Sequence, residues 1–119
     1  MDIHKIDWSK MEWKQIRKGV EQKAFSGSAA TVALHRLMPG HEPKPHSHPH
    51  EQIAYMLKGK MEFRLGSERR TCGPGDVVVI PGGVEHEAFF PEDTEVIDVF
   101  SPPREDFLAG GVPGYMKVK

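Results

Sequence analysis

The stretch PHSHPHEQ, residues 45–52, sets three histidines on alternate positions immediately before an apolar run. His46 and His48 share parity, so an extended chain sends both imidazoles to the same side. Divalent first-row metals favour imidazole nitrogen, and two histidines at i and i+2 offer such an ion a bidentate grip. Gln52 has the same parity and opens the next strand, where its amide oxygen can act as a third donor; Glu51 takes that place only if the strand is rotated. A further imidazole, His86, stands just after a Pro-Gly-Gly turn. His50 follows Pro49, which interrupts the alternation, and is expected at the rim. His4, His35 and His41 stand alone, and each reads as a surface or hydrogen-bonded core residue.

A second constellation is EVIDVFSPPRED, residues 95–106. Whichever face of a strand it occupies, Asp98 lies among Val96, Ile97, Val99 and Phe100. A carboxylate in such company is costly unless paired, and unpaired it carries a raised pKa, which suits a general acid/base. Arg104 lies six residues on, where it can return to pair with Asp98 or clamp a substrate carboxylate in a bidentate fork. The structural alternatives are a plain Asp98–Arg104 ion pair, or an Asp98 that faces solvent on an edge strand.

These groups belong to a chain of 119 residues, enough for one domain over 1–119 with one hydrophobic core. Its 38% hydrophobic and 28% charged residues are ordinary for a soluble globular protein. A net charge of -1 gathers no phosphates, which argues against a nucleic-acid partner. The single cysteine, Cys72, has no internal disulfide partner, which suits a reducing cytoplasm. The segment MDIHKIDWSKMEW has no apolar signal-like run, and no window approaches the ~20 apolar residues of a membrane span. The expected location is the cytoplasm, with no membrane partner.

The elements that must position the candidate groups are short. Gly and Pro cluster as PG (39–40), GPG (73–75), PGG (81–83) and SPP (101–103), all turn formers. Between them, ATVALHRLM (30–38), QIAYMLKGKMEFRL (52–65, with a central KGK turn), EHEAFF (85–90) and EVIDVFS (95–101) have strand character. DVVVI (76–80) is a continuous β-branched run, as expected for a strand buried on both faces. Many short strands with no long helical period predict an all-β barrel or sandwich. DWSKMEWKQIRKG (7–19) fits a helical turn or an edge strand, with Trp8 and Trp13 covering a barrel end. PPREDFLAG (102–110) predicts a short helix with acids early and Gly at its end, and the tail 110–119 is expected to be loosely held.

Gly40, His46-x-His48, Gln52 and Gly59, followed by Gly75, Pro81-x-Gly83 and His86, resemble the two motifs of the cupin superfamily, over 40–59 and 75–90. The resemblance implies a double-stranded β-helix, a jelly-roll barrel, with a short C-terminal helical turn. It also implies one divalent transition metal (nickel, zinc, iron, manganese or cobalt) held by His46, His48, Gln52 and His86. Gln52 stands where the family usually has Glu, and Phe90 where it has Asn. A neutral ligand leaves the +2 charge uncompensated, which favours an anionic substrate and Lewis-acid chemistry over dioxygen chemistry.

Asp98-x-Phe100 followed by Arg104, together with the His-His-Gln-His set, resembles the small pectin-degradation cupins of KdgF type. That resemblance implies conversion of 4,5-unsaturated monouronates to linear 5-keto-4-deoxyuronate. It implies Asp98 and Arg104 as catalytic residues, and Phe100, Arg104 and Phe90 as substrate contacts. The expected partner is a small anionic sugar. A cupin dioxygenase and a non-catalytic sugar-binding cupin are the alternatives. A homodimer is expected, with the N-terminal strand as one candidate for pairing.

Overall fold

The computed structural model describes residues 3–41 and 43–108. Among them a 3₁₀ turn, Trp8–Lys10, leads into nine strands. These are β1 Lys14–Arg17, β2 Val20–Ser26, β3 Thr31–Leu37, β4 Glu51–Lys58, β5 Met61–Leu65, β6 Glu68–Cys72, β7 Val77–Ile80, β8 His86–Phe89 and β9 Thr94–Ser101. A one-turn helix, α1 Glu105–Leu108, follows β9. The strands form a six-stranded sheet, ordered β1-β2-β3-β9-β4-β7, and a three-stranded sheet, β6-β5-β8. All pairings are antiparallel, so this is the two-sheet all-β architecture of a cupin barrel. Among the described residues no helix is long and apolar enough to cross a membrane.

Period-two alternation decides what faces the interior. On β3, Thr31, Ala33, His35 and Leu37 are buried, while Val32, Leu34 and Arg36 are half-buried on the outer side. On β9 the inward set is Thr94, Val96, Asp98 and Phe100. The core is accordingly split. One apolar cluster contains Met56, Met61, Phe63, Ile80, Phe90 and Val96, and a smaller one joins Ala33, Phe100 and Phe107. His35 and Asp98 lie on the strands that link the two clusters, so a polar band crosses the interior.

The KGK turn is a corner between the sheets: β4 pairs with β9 and β7, whereas β5 pairs with β6 and β8. Gly59 makes the corner at φ +93°, and a Cβ there would collide with the Thr94 hydroxyl. That hydroxyl in turn accepts a hydrogen bond from the Lys60 N–H at 3.2 Å.

Two expectations change. The β7 run is not buried on both faces: it is an edge strand, with Val77 54% and Val79 52% exposed and only Ile80 fully inside. Alternation still applies to it, and the described residues provide no cover for its outer face. Trp8 and Trp13 do not cap a barrel end. Trp8 packs edge-on against Phe25 of β2, and the Trp13 ring lies under the Lys23 ammonium and the Arg36 guanidinium, on the outer face of β2 and β3. Segment 7–19 contains both expected forms, the 3₁₀ turn and the edge strand β1. The predicted helix over 102–110 is realised as Glu105–Leu108; its glycine end and the tail 110–119 lie outside the described residues.

Gly59→Ala should lower stability by about 2 kcal/mol or more, because it adds left-handed strain to a steric clash. Gly27, whose Cβ would meet nothing within 4 Å, is the control, and Gly27→Ala should be near neutral in urea denaturation. Equal midpoints for the two variants would contradict this account of the corner.

Candidate metal centre

Two chain segments distant in sequence are joined backbone to backbone. The His46 N–H donates to the His86 carbonyl at 3.0 Å, and the His86 N–H returns the bond to His46 at 2.9 Å. One turn away, the Gly83 N–H donates to the His48 carbonyl at 2.8 Å. Gly82 packs directly on the Pro49 carbonyl, so that a Cβ there would collide with it. The Pro81–Gly83 turn therefore brings His86 beside His46 and His48, and ligating atoms of the three lie within 4.8 Å of one another.

Each of the three rings is oriented by a backbone carbonyl. Nδ1 of His46 donates to Lys44 at 2.8 Å, Nδ1 of His48 to His50 at 3.0 Å and Nδ1 of His86 to Val84 at 2.9 Å. A carbonyl only accepts, so the proton of each neutral ring sits on Nδ1 and the Nε2 lone pair is left for another partner. This is the outer-shell arrangement that prepares imidazoles as metal ligands. Burial pushes all three pKa values down, His46 to about 4, so the rings stay neutral through the physiological range. The buried Nε2 of His86 has no hydrogen-bond partner among the described residues.

Gln52 completes the set. Its Nε2 donates to Asp98 Oδ1 at 2.8 Å, and because a carboxylate can only accept, this contact orients the amide. Oε1 is then directed at His48 Nε2, 3.0 Å away. With the His48 proton on Nδ1, two lone-pair carriers face each other at hydrogen-bond distance. Moving the proton to Nε2 transfers the conflict to the His50 carbonyl. A cation between them removes the conflict. The three imidazoles and the Gln52 oxygen thus fit a divalent metal. Glu51 is exposed and contributes nothing to this cluster.

Asp98 is paired, but not by Arg104. His35 Nδ1 donates to Asp98 Oδ2 at 2.7 Å, and His35 Nε2 lies 3.0 Å from Gln22 Nε2. Donors therefore run from Gln22 through His35 to the carboxylate, and Gln52 donates from the other side. The neighbours of Asp98 across β3 and β4 are Ala33 and Ala54, whose small side chains leave the carboxylate room in the cavity wall. Arg104, 2% exposed, makes its fork with Asp106 instead (3.0 and 2.9 Å). Its guanidinium packs on the rings of Phe100 and Phe107 (4.9 and 4.3 Å), outside the residues that line the cavity. A carboxylate two residues away is a closer competitor than one across a strand end.

Phe100 and Phe90 both line the cavity, Phe100 edge-on to His48 and Phe90 against His41. His50 packs edge-on against His48 at the margin. Four polar lining residues were not assigned to the site from sequence: His35, His41, Arg17 and Lys44. For His35 a signal was available. It shares parity with Ala33 and Leu37, the inward row of β3, where it is one of the hydrogen-bonded core histidines that the sequence allowed for.

The cupin-domain family profile matches residues 33–100. Over 100 residues the chain is 33% identical to the pectin degradation protein KdgF of Dickeya dadantii (strain 3937), covering 81% of this chain and 90% of that protein. The structure of KdgF from Halomonas sp. superposes with a TM-score of 0.79 at 32% identity, covering 83% of this chain and 93% of that one. An RmlC-like cupin from Shewanella frigidimarina NCIMB 400 gives a TM-score of 0.83 at 26% identity, covering 89% and 96%.

His46 in the metal-free protein should titrate near pH 4 in NMR. An unfolded histidine titrates near 6.5, so between those values the unfolded chain binds more protons than the folded one. Stability with chelator present should therefore fall as pH drops from about 6.5 towards 4. A His46 titration near 6.5 would refute the buried-ligand account.

Proposed function

The chain belongs to the cupin family, and from that premise we propose that it opens the ring of 4,5-unsaturated monouronates to give linear 5-keto-4-deoxyuronate. The observation that carries this reading is the Asp98 carboxylate bonded to Gln52 beside the imidazole cluster. Likeness to a pectin degradation protein supplies the substrate class. Arg17 and Lys44 line the same cavity, and their positive charge suits an anionic sugar. We place the reaction in the cytoplasm, where the buried thiol of Cys72 stays reduced.

A divalent transition metal held by His46, His48, His86 and Gln52 would supply Lewis-acid polarisation of substrate oxygens. The proton work falls to Asp98. It takes the proton of the C1 hydroxyl as the bond from C1 to the ring oxygen breaks, which leaves an aldehyde at C1 and an enolate across C4 and C5. It then returns that proton to C4, so that C5 becomes the ketone and no atom is gained or lost. His35, itself bonded to Gln22, holds the carboxylate in one orientation throughout. Phe100 and Phe90 form apolar walls that contact the sugar and restrict water. Arg104 acts from behind Phe100: it braces that ring and adds positive charge near His46, His48 and His50.

Metal-replete protein given freshly lyased monouronate under argon should remove the unsaturated-ring absorbance faster than a chelated control. No difference between the two would end the proposal. A requirement for dioxygen would favour a dioxygenase, and ligand retained without turnover would favour a binding protein.

Asp98→Asn should keep fold and metal content yet lose ~10²–10⁴-fold in rate, the usual range for one acid/base group. The network can accommodate the amide, because His35 can change tautomer and Gln22 can turn its own amide to match. Full activity in a metal-loaded Asp98→Asn protein would remove the acid/base role.

His35→Leu should lower kcat about 10-fold or more with KM nearly unchanged, as for other partners one shell out. His35→Asn, which keeps a donor near the Nδ1 position, should recover part of that loss. Equal kcat for the two variants would reduce His35 to packing.

A further inference from the structure

One side chain divides the space between the two sheets into two compartments. The site occupies a cavity of about 110 Å³, walled by inner residues of β4 and β9 on one side and of β5 and β8 on the other. A second cleft, of about 340 Å³, lies where the sandwich stays open: β6 and β7 are terminal strands of their sheets and do not pair with each other. Among the described residues Phe63 of β5 alone lines both. It is 6% exposed, and its ring centre lies 6.4 Å from that of His86.

The two compartments differ in chemistry. Register turns Glu68 and Arg70 of β6 to the same face as Leu65 and Phe63, so both charges project over the cleft, 3.8 Å apart and exposed. Asp76 and Thr71 add to its polar wall. Charged groups keep their water, which makes the cleft a wet space behind the Phe63 ring. In front of that ring the walls are Ala54, Ile80 and Val96 and then the site.

Asp98 projects from β9 in the large sheet, and Phe63 from β5 in the small one, so the two stand on opposing walls of the cavity. Packed sheets are ~10 Å apart, which leaves room for one sugar ring between them. Such a ring turns one face to Asp98 and the other towards Phe63.

We propose that Phe63 is a specificity-determining wall, which closes the rear of the site to water so that C4 is protonated only on the face turned to Asp98. This role rests on the ring-opening reading. C4 of the unsaturated sugar bears one hydrogen, and the proton returned by Asp98 makes it a CH₂ and restores the carboxylate. Water arriving from the cleft would instead protonate the opposite face of C4, and the hydroxide formed would take the proton left on Asp98. Both routes balance, and an enolate carbon accepts a proton from either donor, so exclusion of water is what preserves the choice of face.

Reaction in D₂O reads that choice. The C1 hydroxyl then carries deuterium, and one deuteron added at C4 makes a stereocentre that NMR resolves at early times against a protein-free control. Wild type should favour one face at least about 10-fold, and Phe63→Ala should bring the ratio below about 2. Phe63→Leu opens a smaller gap and spares more of the core, so it should give an intermediate ratio and serves if Phe63→Ala does not fold. Deuterium on both faces in the wild-type product overturns the wall alone, as does a single isomer from every folded variant. No linear product at all overturns the ring-opening reading and, with it, this role of Phe63.

Discussion

The site depends on one small contact, the pair of backbone hydrogen bonds exchanged by His46 and His86. Two strands that merely passed near each other would leave their imidazoles free to choose among rotamers. The bridge, with the Gly83–His48 bond and the close seat of Gly82 on Pro49, sets the backbone of one ligand segment against the other. Once that is done, local carbonyls two residues away, those of Lys44, His50 and Val84, choose each ring's tautomer. Long-range order is thus needed only once, and the rest of the ligand geometry follows from short loops.

Polar groups then extend from this cluster into the barrel, and their order is informative. Gln52 touches His48 through its oxygen and Asp98 through its nitrogen, so one amide connects the ligand set to the proposed proton carrier. A carboxylate at position 52 would turn a second negative charge towards Asp98, with no N–H to offer it. The neutral ligand is therefore matched to a nearby carboxylate as well as to an anionic substrate. The cost is a buried polar band between two apolar clusters, tolerable because His35, Gln22 and Gln52 supply donors.

What could be read from the sequence was local in origin. Parity placed His46, His48 and Gln52 on one side, and turn residues announced the positions of strands, because both effects act within a few residues. Pairing across the sheet was not readable. His35 looked like an isolated histidine until the β3–β9 register put it beside Asp98, and nothing in either segment alone encodes that register. Of the readings open for Arg104, the pairing with Asp98 is not the one formed, because Asp106 lies within the same turn of chain. The valine run of β7 was misjudged because composition reports that a strand suits burial, not its place at the edge of the sheet.

That last point links the two faces of one strand pair. Gln52, Ala54 and Met56 of β4 oppose Phe100, Asp98 and Val96 of β9 on the inside, and the residues between them form the apolar rows outside. Any slip of β4 against β9 would break the Gln52–Asp98 hydrogen bond and disrupt the outer rows together, since side-chain direction alternates along both strands. The 2.8 Å contact in the cavity is thus held by the register of the β4–β9 ladder.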